Sequence, residues 1–121
     1  MGYRSDVMAL FYCKNEQWAA MKLFVDENFP EPLKSDLSTF KGKTISGFKF
    51  SNEHVKWYDT FPEVQAFNAF VSRFHEIGDN DDLAWAYEFT RIGEQTDDIE
   101  ETQSTWADGF LYVSRSIEMS I

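Results

Sequence analysis

Reactive side chains are scarce in this chain. One cysteine, Cys13, and two histidines, His54 and His75, stand among 121 residues. A lone thiol forms no internal disulfide and leaves a thiolate zinc site short of ligands. Since no stretch reads as a secretory leader either, a reducing cytoplasmic setting is expected. Long apolar runs are missing too. The longest, Val7 to Cys13, falls far short of the ~20 residues a membrane span needs. No Asn-x-Ser/Thr acceptor occurs, and Asp6 stands where a myristoylation signal on Gly2 wants Ser or Thr.

Positive charge is the other scarcity, and it is confined to one part of the chain. Up to His75 there are nine acids against nine Lys and Arg; from Glu76 to Ile121 there are twelve acids against Arg91 and Arg115. The whole net charge of −10 therefore lies in the last 46 residues. A one-sided field of this kind attracts basic partners and repels phosphate backbones.

Apolar material is plentiful. Hydrophobic residues make up 43% of the chain and aromatic ones 17%, with twelve Phe, too much for a disordered acidic tail and ample for one core. A single domain over residues 1–121 is expected.

The order of elements follows from periodicity. Val7 to Cys13 is apolar on both alternating faces, as in a mid-sheet strand. Asn15 is a candidate N-cap for a helix with the stripe Trp18, Met21, Val25 and Phe29, which Pro30 and Pro32 stop. A looser stretch, Leu33 to Lys43, precedes two predicted strands, Thr44 to Phe50 and Val55 to Tyr58, with a turn near Ser51 and Asn52. Thr60 and Glu63 match a capping box opening a second helix. Its face is Val64, Phe67, Phe70, Val71, Phe74 and Ile77, and Gly78 ends it. Leu83 to Ile92 reads as a strand alternating Trp85, Tyr87 and Phe89; an acidic connection from Gly93 to Asp108 and a strand from Phe110 to about Met119 close the chain. The expected class is α+β: a ferredoxin-like split βαβ arrangement (β-α-β-β-α-β), both helices on one face, with an additional C-terminal strand.

Three segments carry a resemblance. Gly2-Tyr-Arg-Ser-Asp-Val7, Val55-Lys-Trp-Tyr58 with Pro62-Glu-Val64, and Tyr87-Glu-Phe-Thr-Arg-Ile-Gly-Glu94 followed by Asp98-Ile-Glu100 resemble small accessory proteins of tailed bacteriophages and prophages that open with a GYRSDV-type segment. The resemblance spans nearly the whole chain. It implies a viral accessory protein acting inside a bacterial cell, where small acidic proteins include anti-CRISPR proteins and other inhibitors of host defence or nucleic-acid enzymes.

Several patterns suggest chemistry and then fail on spacing. Gly42-Lys43-Thr44 lacks the glycine of a phosphate loop, Leu37 standing in its place, and precedes a strand instead of a helix. Asp79-Asn-Asp-Asp82 has Ala84 and Thr90 where a calcium loop requires Gly and Glu, which leaves a solvated turn. His75 and Asp79 are spaced to share a metal, but a histidine favoured at a helix C-terminus is the expected reading. His54 lies near Glu53 and Asp59 with no nucleophile marked beside it. Gly47-Phe-Lys-Phe50 resembles a base-stacking strand only in part, and a net −10 opposes phosphate contact. No catalytic residue, metal or cofactor is expected.

Two candidate surfaces remain. Arg4, Arg91 and Arg115 would grip a small anionic ligand or signalling nucleotide if they converged; otherwise each pairs locally with Asp6, Glu88 or Glu118. The second surface is acidic. Glu94, Asp97, Asp98, Glu100 and Glu101 are its densest part, with no Lys or Arg between Arg91 and Arg115. If Asp97 onward is helical, Thr96 caps it, but like charges then sit four apart. Glu76, Asp79, Asp81, Asp82 and Asp108 extend the charge, and Trp106 is a candidate aromatic anchor or a buried corner. Retained repulsion serves solubility, or it steers a basic partner. The expectation is a non-enzymatic protein that occludes a basic, nucleic-acid-handling host protein as a DNA mimic would. A virion or assembly component is the remaining alternative.

Overall fold

Strand β1 (Ser5–Lys14) is central because it is apolar on both faces, and it pairs antiparallel with β3 (Ile45–Val55) and β4 (Ala86–Ile92). These elements are seen in a computed structural model that describes residues 3–95, 97–113 and 117–120. The chain is α+β. Its antiparallel sheet has the order β2-β3-β1-β4-β5, with β2 Leu37–Lys41 and β5 Ile99–Gln103 at the edges. Helices α1 (Trp18–Asn28) and α2 (Pro62–Gly78) lie on one face, and β6 (Leu111–Val113) and β7 (Ile117–Met119) pair separately.

The alternation of β1 sorts the core into two layers. Val7, Ala9, Phe11 and Cys13 face Met21 and Val25 of α1 and Val64, Phe67, Phe70 and Phe74 of α2. Phe11 meets Phe29, Phe67, Phe70 and Phe74 edge-on, with centroids 5.2–6.3 Å apart, the arrangement the ring quadrupole favours. On the opposite face Leu10, Tyr12 and Ala86 are covered by Trp106, Phe110, Leu111 and Met119. No helix of the described residues is long and apolar enough to cross a membrane.

The departures from the sequence expectation have local causes. The expected turn near Ser51 and Asn52 is absent and residues 45–55 form one strand, Asn52 donating its amide to the Asp36 carboxylate (2.9 Å); the expected strand Val55 to Tyr58 does not form, since the strand ends at Val55. The extra residue is absorbed as a bulge opposite β1: His54 takes φ 54°, and its N–H donates to the Asp6 carboxylate at 3.0 Å. The looser stretch supplies a 3-10 helix (Glu31–Asp36) and β2. Asn15 does not cap α1; it opens a 3-10 turn, donating its amide to the Lys43 carbonyl (3.0 Å) and accepting from the Ser46 hydroxyl (2.6 Å).

Further corrections concern α2 and the C-terminal third. The Thr60–Glu63 capping box is not formed: Phe61 is the N-cap, without a side-chain cap bond, and Pro62 at the first helical position needs no N–H partner. Gly78 ends the helix as expected, but Ile77 of its expected face is exposed. The acidic connection contains β5, so strand replaces the conditional helix after Asp97; Thr96 lies outside the described residues. The five-stranded order β2-β3-β1-β4-β5 thus differs from the expected four-stranded split βαβ arrangement. The additional C-terminal strand is instead the short β6–β7 pair outside the sheet.

Candidate functional site

The acidic residues do not form one patch. They divide between the two ends of β4, whose seven residues span roughly 20 Å. Residues 97–108 run back along β4 through β5 and link the two groups.

The first group surrounds the turn from α2 into β4. Asn80 organises it, donating to the Ile77 carbonyl (2.9 Å) and accepting the Leu83 N–H on its side-chain oxygen (2.8 Å), which leaves Asp81 and Asp82 in solvent. Asp79 is the C-cap of α2; it lies 3.6 Å from His75 Nε2 and accepts the Trp106 indole N–H at 3.1 Å. Trp106 is half-buried. With Tyr12, Lys14, Ile45, Asp81 and Asp108 it lines a cleft of about 250 Å³. Glu76 is exposed on the last turn of α2.

The second group is organised by Arg91. Nε donates to Glu100 (3.2 Å), Nη2 to Asp98 (2.8 Å), and Nη1 to both Asp98 (3.2 Å) and the Ser5 hydroxyl (3.1 Å). The Tyr3 hydroxyl also donates to Asp98, at 2.5 Å, and accepts the Gln95 N–H. The Arg91 guanidinium, aided by Tyr3, holds the Asp98 carboxyl below the usual carboxylate range, and Asp98 in turn raises the Arg91 pKa. Arg91 is thus committed to Asp98 and Glu100, not to Glu88 as expected. Arg4 donates elsewhere, to the His54 carbonyl (3.2 Å), and Arg115 lies outside the described residues.

Glu88, expected only as a partner of Arg91, has a different role. It is 2% exposed and is one of the largest fully buried side chains. One oxygen accepts the Tyr12 hydroxyl (2.5 Å) and the N–H groups of Gly109 and Phe110 (3.1 Å each); the other accepts the Leu111 N–H (2.9 Å). Gly109 takes φ 76°, which glycine reaches without strain, and three successive N–H groups thereby converge as an anion nest. Burial and then Glu88 raise the Tyr12 phenol well above its ordinary pKa. Glu88 is a structural pin for the segment leading into β6. Strand alternation was the available signal, since it places Glu88 opposite Leu10 on a face bearing Tyr12 and Ala86.

Glu76, Asp81, Asp82, Glu94, Asp97, Glu101 and Asp108 are exposed and form no ion pair among the described residues. Phe48 and Phe50 are buried in the helical-side core, away from any stacking surface, and burial pushes the Cys13 thiol up to about 12. Among the described residues no three His, Cys, Asp or Glu side chains gather as metal ligands. No family model, no curated protein and no solved structure matches the chain.

Proposed function

We propose that this chain is a non-enzymatic binding protein that docks a basic partner protein along the β4–β5 side and acts by occlusion. The supporting observation is the set of seven exposed carboxylates without cationic partners among the described residues, strung along residues 76–108. Carboxylates held this way steer a basic groove and substitute for phosphates in it. The framework reads as a ferredoxin-like split βαβ unit extended by β5, with the β6–β7 pair as its second cover. The phage resemblance supplies the class of partner: a host restriction, CRISPR or recombination enzyme.

Inhibition of such purified enzymes tests the proposal. Charge reversal at Asp97 and Glu101, and separately at Asp81 and Asp82, should weaken inhibition about tenfold or more, and raised salt should do the same. These positions are chosen because they make no ion pair among the described residues. Inhibition that ignores both reversals and salt overturns the proposal.

A further inference from the structure

We infer that the outer edge of β5 takes up an extended lysine- or arginine-bearing segment of a basic protein as a sixth strand. This rests on the binding function proposed above and adds the mode of docking. β5 is the last strand of the sheet, and no described strand pairs with its outer side. All five of its residues, Ile99–Gln103, are exposed. The sheet therefore runs one strand past both of its covers.

Register identifies the open groups. Ser104 N–H donates to the Tyr87 carbonyl (3.0 Å) at one end of the β4–β5 ladder, and Gly93 N–H donates to the Asp98 carbonyl (2.8 Å) at the other. Antiparallel pairs alternate between hydrogen-bonded and open, so Thr102 and Glu100 bond inward to Phe89 and Arg91. Glu101 and Gln103 then present their N–H and C=O groups outward, while the Ile99 N–H is taken by the Asp97 carbonyl (3.1 Å). Clefts flank the strand on both faces. One of about 210 Å³ lies against α2 and is lined by Phe67, Val71, Tyr87, Glu100 and Thr102; one of about 320 Å³ on the other face is lined by Thr90, Glu101, Gln103 and Leu111. An added strand would send alternate side chains over each cleft, where Glu101 stands unpaired among the described residues on one face and Glu100, held by Arg91, lies on the other.

Charge selects the occupant. Two copies pairing antiparallel about Glu101 would set Glu101 against Glu101, a destabilising cross-strand pair, between chains of net charge −10. The β2 edge of a second copy offers only Lys41 within its strand. Acids on an edge guard against such self-pairing, yet they attract a strand carrying Lys or Arg at alternate positions.

The probe is a peptide of about eight residues alternating lysine and valine. Its controls are a glutamate-for-lysine peptide and a copy N-methylated at every residue, which has no amide N–H to donate from either edge. Hydrogen exchange at Glu101 and Gln103 should slow about tenfold or more with the lysine peptide and with neither control. Gln103→Pro removes an outward N–H without touching the β4 ladder or the net charge; it should weaken the peptide, and inhibition of the basic enzyme, about tenfold. Full binding by the N-methylated peptide or by Q103P, or no slowing at all, overturns the inference. If Q103P still inhibits while charge reversal at Asp97 and Glu101 abolishes inhibition, strand addition falls and the basic-partner function stands. Slowing of the same amides without peptide as protein concentration rises identifies a second copy as occupant and also overturns it.

Discussion

Glu88→Gln changes one atom type at the buried pin and keeps its shape. Four donors now converge on the carboxylate: the Tyr12 hydroxyl and the N–H groups of Gly109, Phe110 and Leu111. Glutamine must aim its NH₂ at one side of this set. The less costly choice faces the single Leu111 donor and keeps oxygen toward the other three. One hydrogen bond to a charged group is then lost, about 2 kcal/mol, and three fall from charged to neutral strength, about 1 kcal/mol each. Against that gross loss of about 5 kcal/mol, burying an amide instead of a carboxylate recovers several kcal/mol of desolvation, of which about 3 is a reasonable share. The expected net destabilisation is about 2 kcal/mol.

Urea unfolding reads the global effect as a lower midpoint at unchanged slope. Hydrogen exchange reads the local one: the Leu111 amide should exchange about thirtyfold faster, since each 1.36 kcal/mol is a factor of ten. Residues 109–111 lead into β6 and include its first residue, Leu111, which packs on the Leu10 and Tyr12 cluster, so the loosening should be strongest there. An E88Q protein of equal or greater stability, with slow exchange retained at 109–111, would refute the assignment of Glu88 as acceptor for the backbone nest.

Two further outcomes follow from the packing and from the Arg91 cluster. A Cβ added at Gly78 would lie 2.3 Å from Trp85 Cβ and 2.8 Å from its Cγ, so Gly78→Ala should destabilise by about 1–2 kcal/mol, overpacking exceeding the ~1 kcal/mol helix preference for alanine; calorimetry showing a raised Tm would contradict it. The Asp98 pKa is depressed by Arg91 and Tyr3, so its stabilisation is complete above the ordinary value of 3.8 and is lost as pH falls through the lower folded value; unfolding midpoints of parent and Asp98→Asn should differ at pH 6 and converge well below 3.8, and a gap independent of pH would contradict it.

What the sequence disclosed was whatever apolar periodicity encodes. β1, Met21 and Val25 of α1, and Val64, Phe67, Phe70 and Phe74 of α2 bury large side chains at the expected spacing, whereas Ile77 is exposed and β4 begins at Ala86, past the expected Leu83 and Trp85. β2 and β5 escaped because edge strands of polar residues are held by the backbone ladder and carry little side-chain pattern. The nest that receives Glu88 could not be read at all, since backbone N–H groups 21–23 residues away leave no signature in side-chain type. Arg91 is different. Positions 88 and 91 differ by an odd number and so point to opposite faces of a strand, which already excluded the Arg91–Glu88 pair; the true partners needed the cross-strand register Arg91↔Glu100.

The same register divides the acidic segment by role. Asp98 and Glu100 pin the start of β5 through Arg91, and the buried Ser104 pins its end, accepting the Tyr87 N–H on its hydroxyl (3.0 Å) while its own N–H donates to the Tyr87 carbonyl. Between these anchors β5 contributes no buried side chain, so burial does not explain why the strand exists. Its anchors spend two of the acids and leave Glu94, Asp97 and Glu101 outside any ion pair among the described residues. Charge reversal across the whole run would therefore confuse two effects. Asp98→Lys or Glu100→Lys would set like charge against Arg91 and detach the strand itself, losing binding for a structural reason. Asp97→Lys and Glu101→Lys leave both anchors in place, so only those substitutions ask what the exposed charge is for.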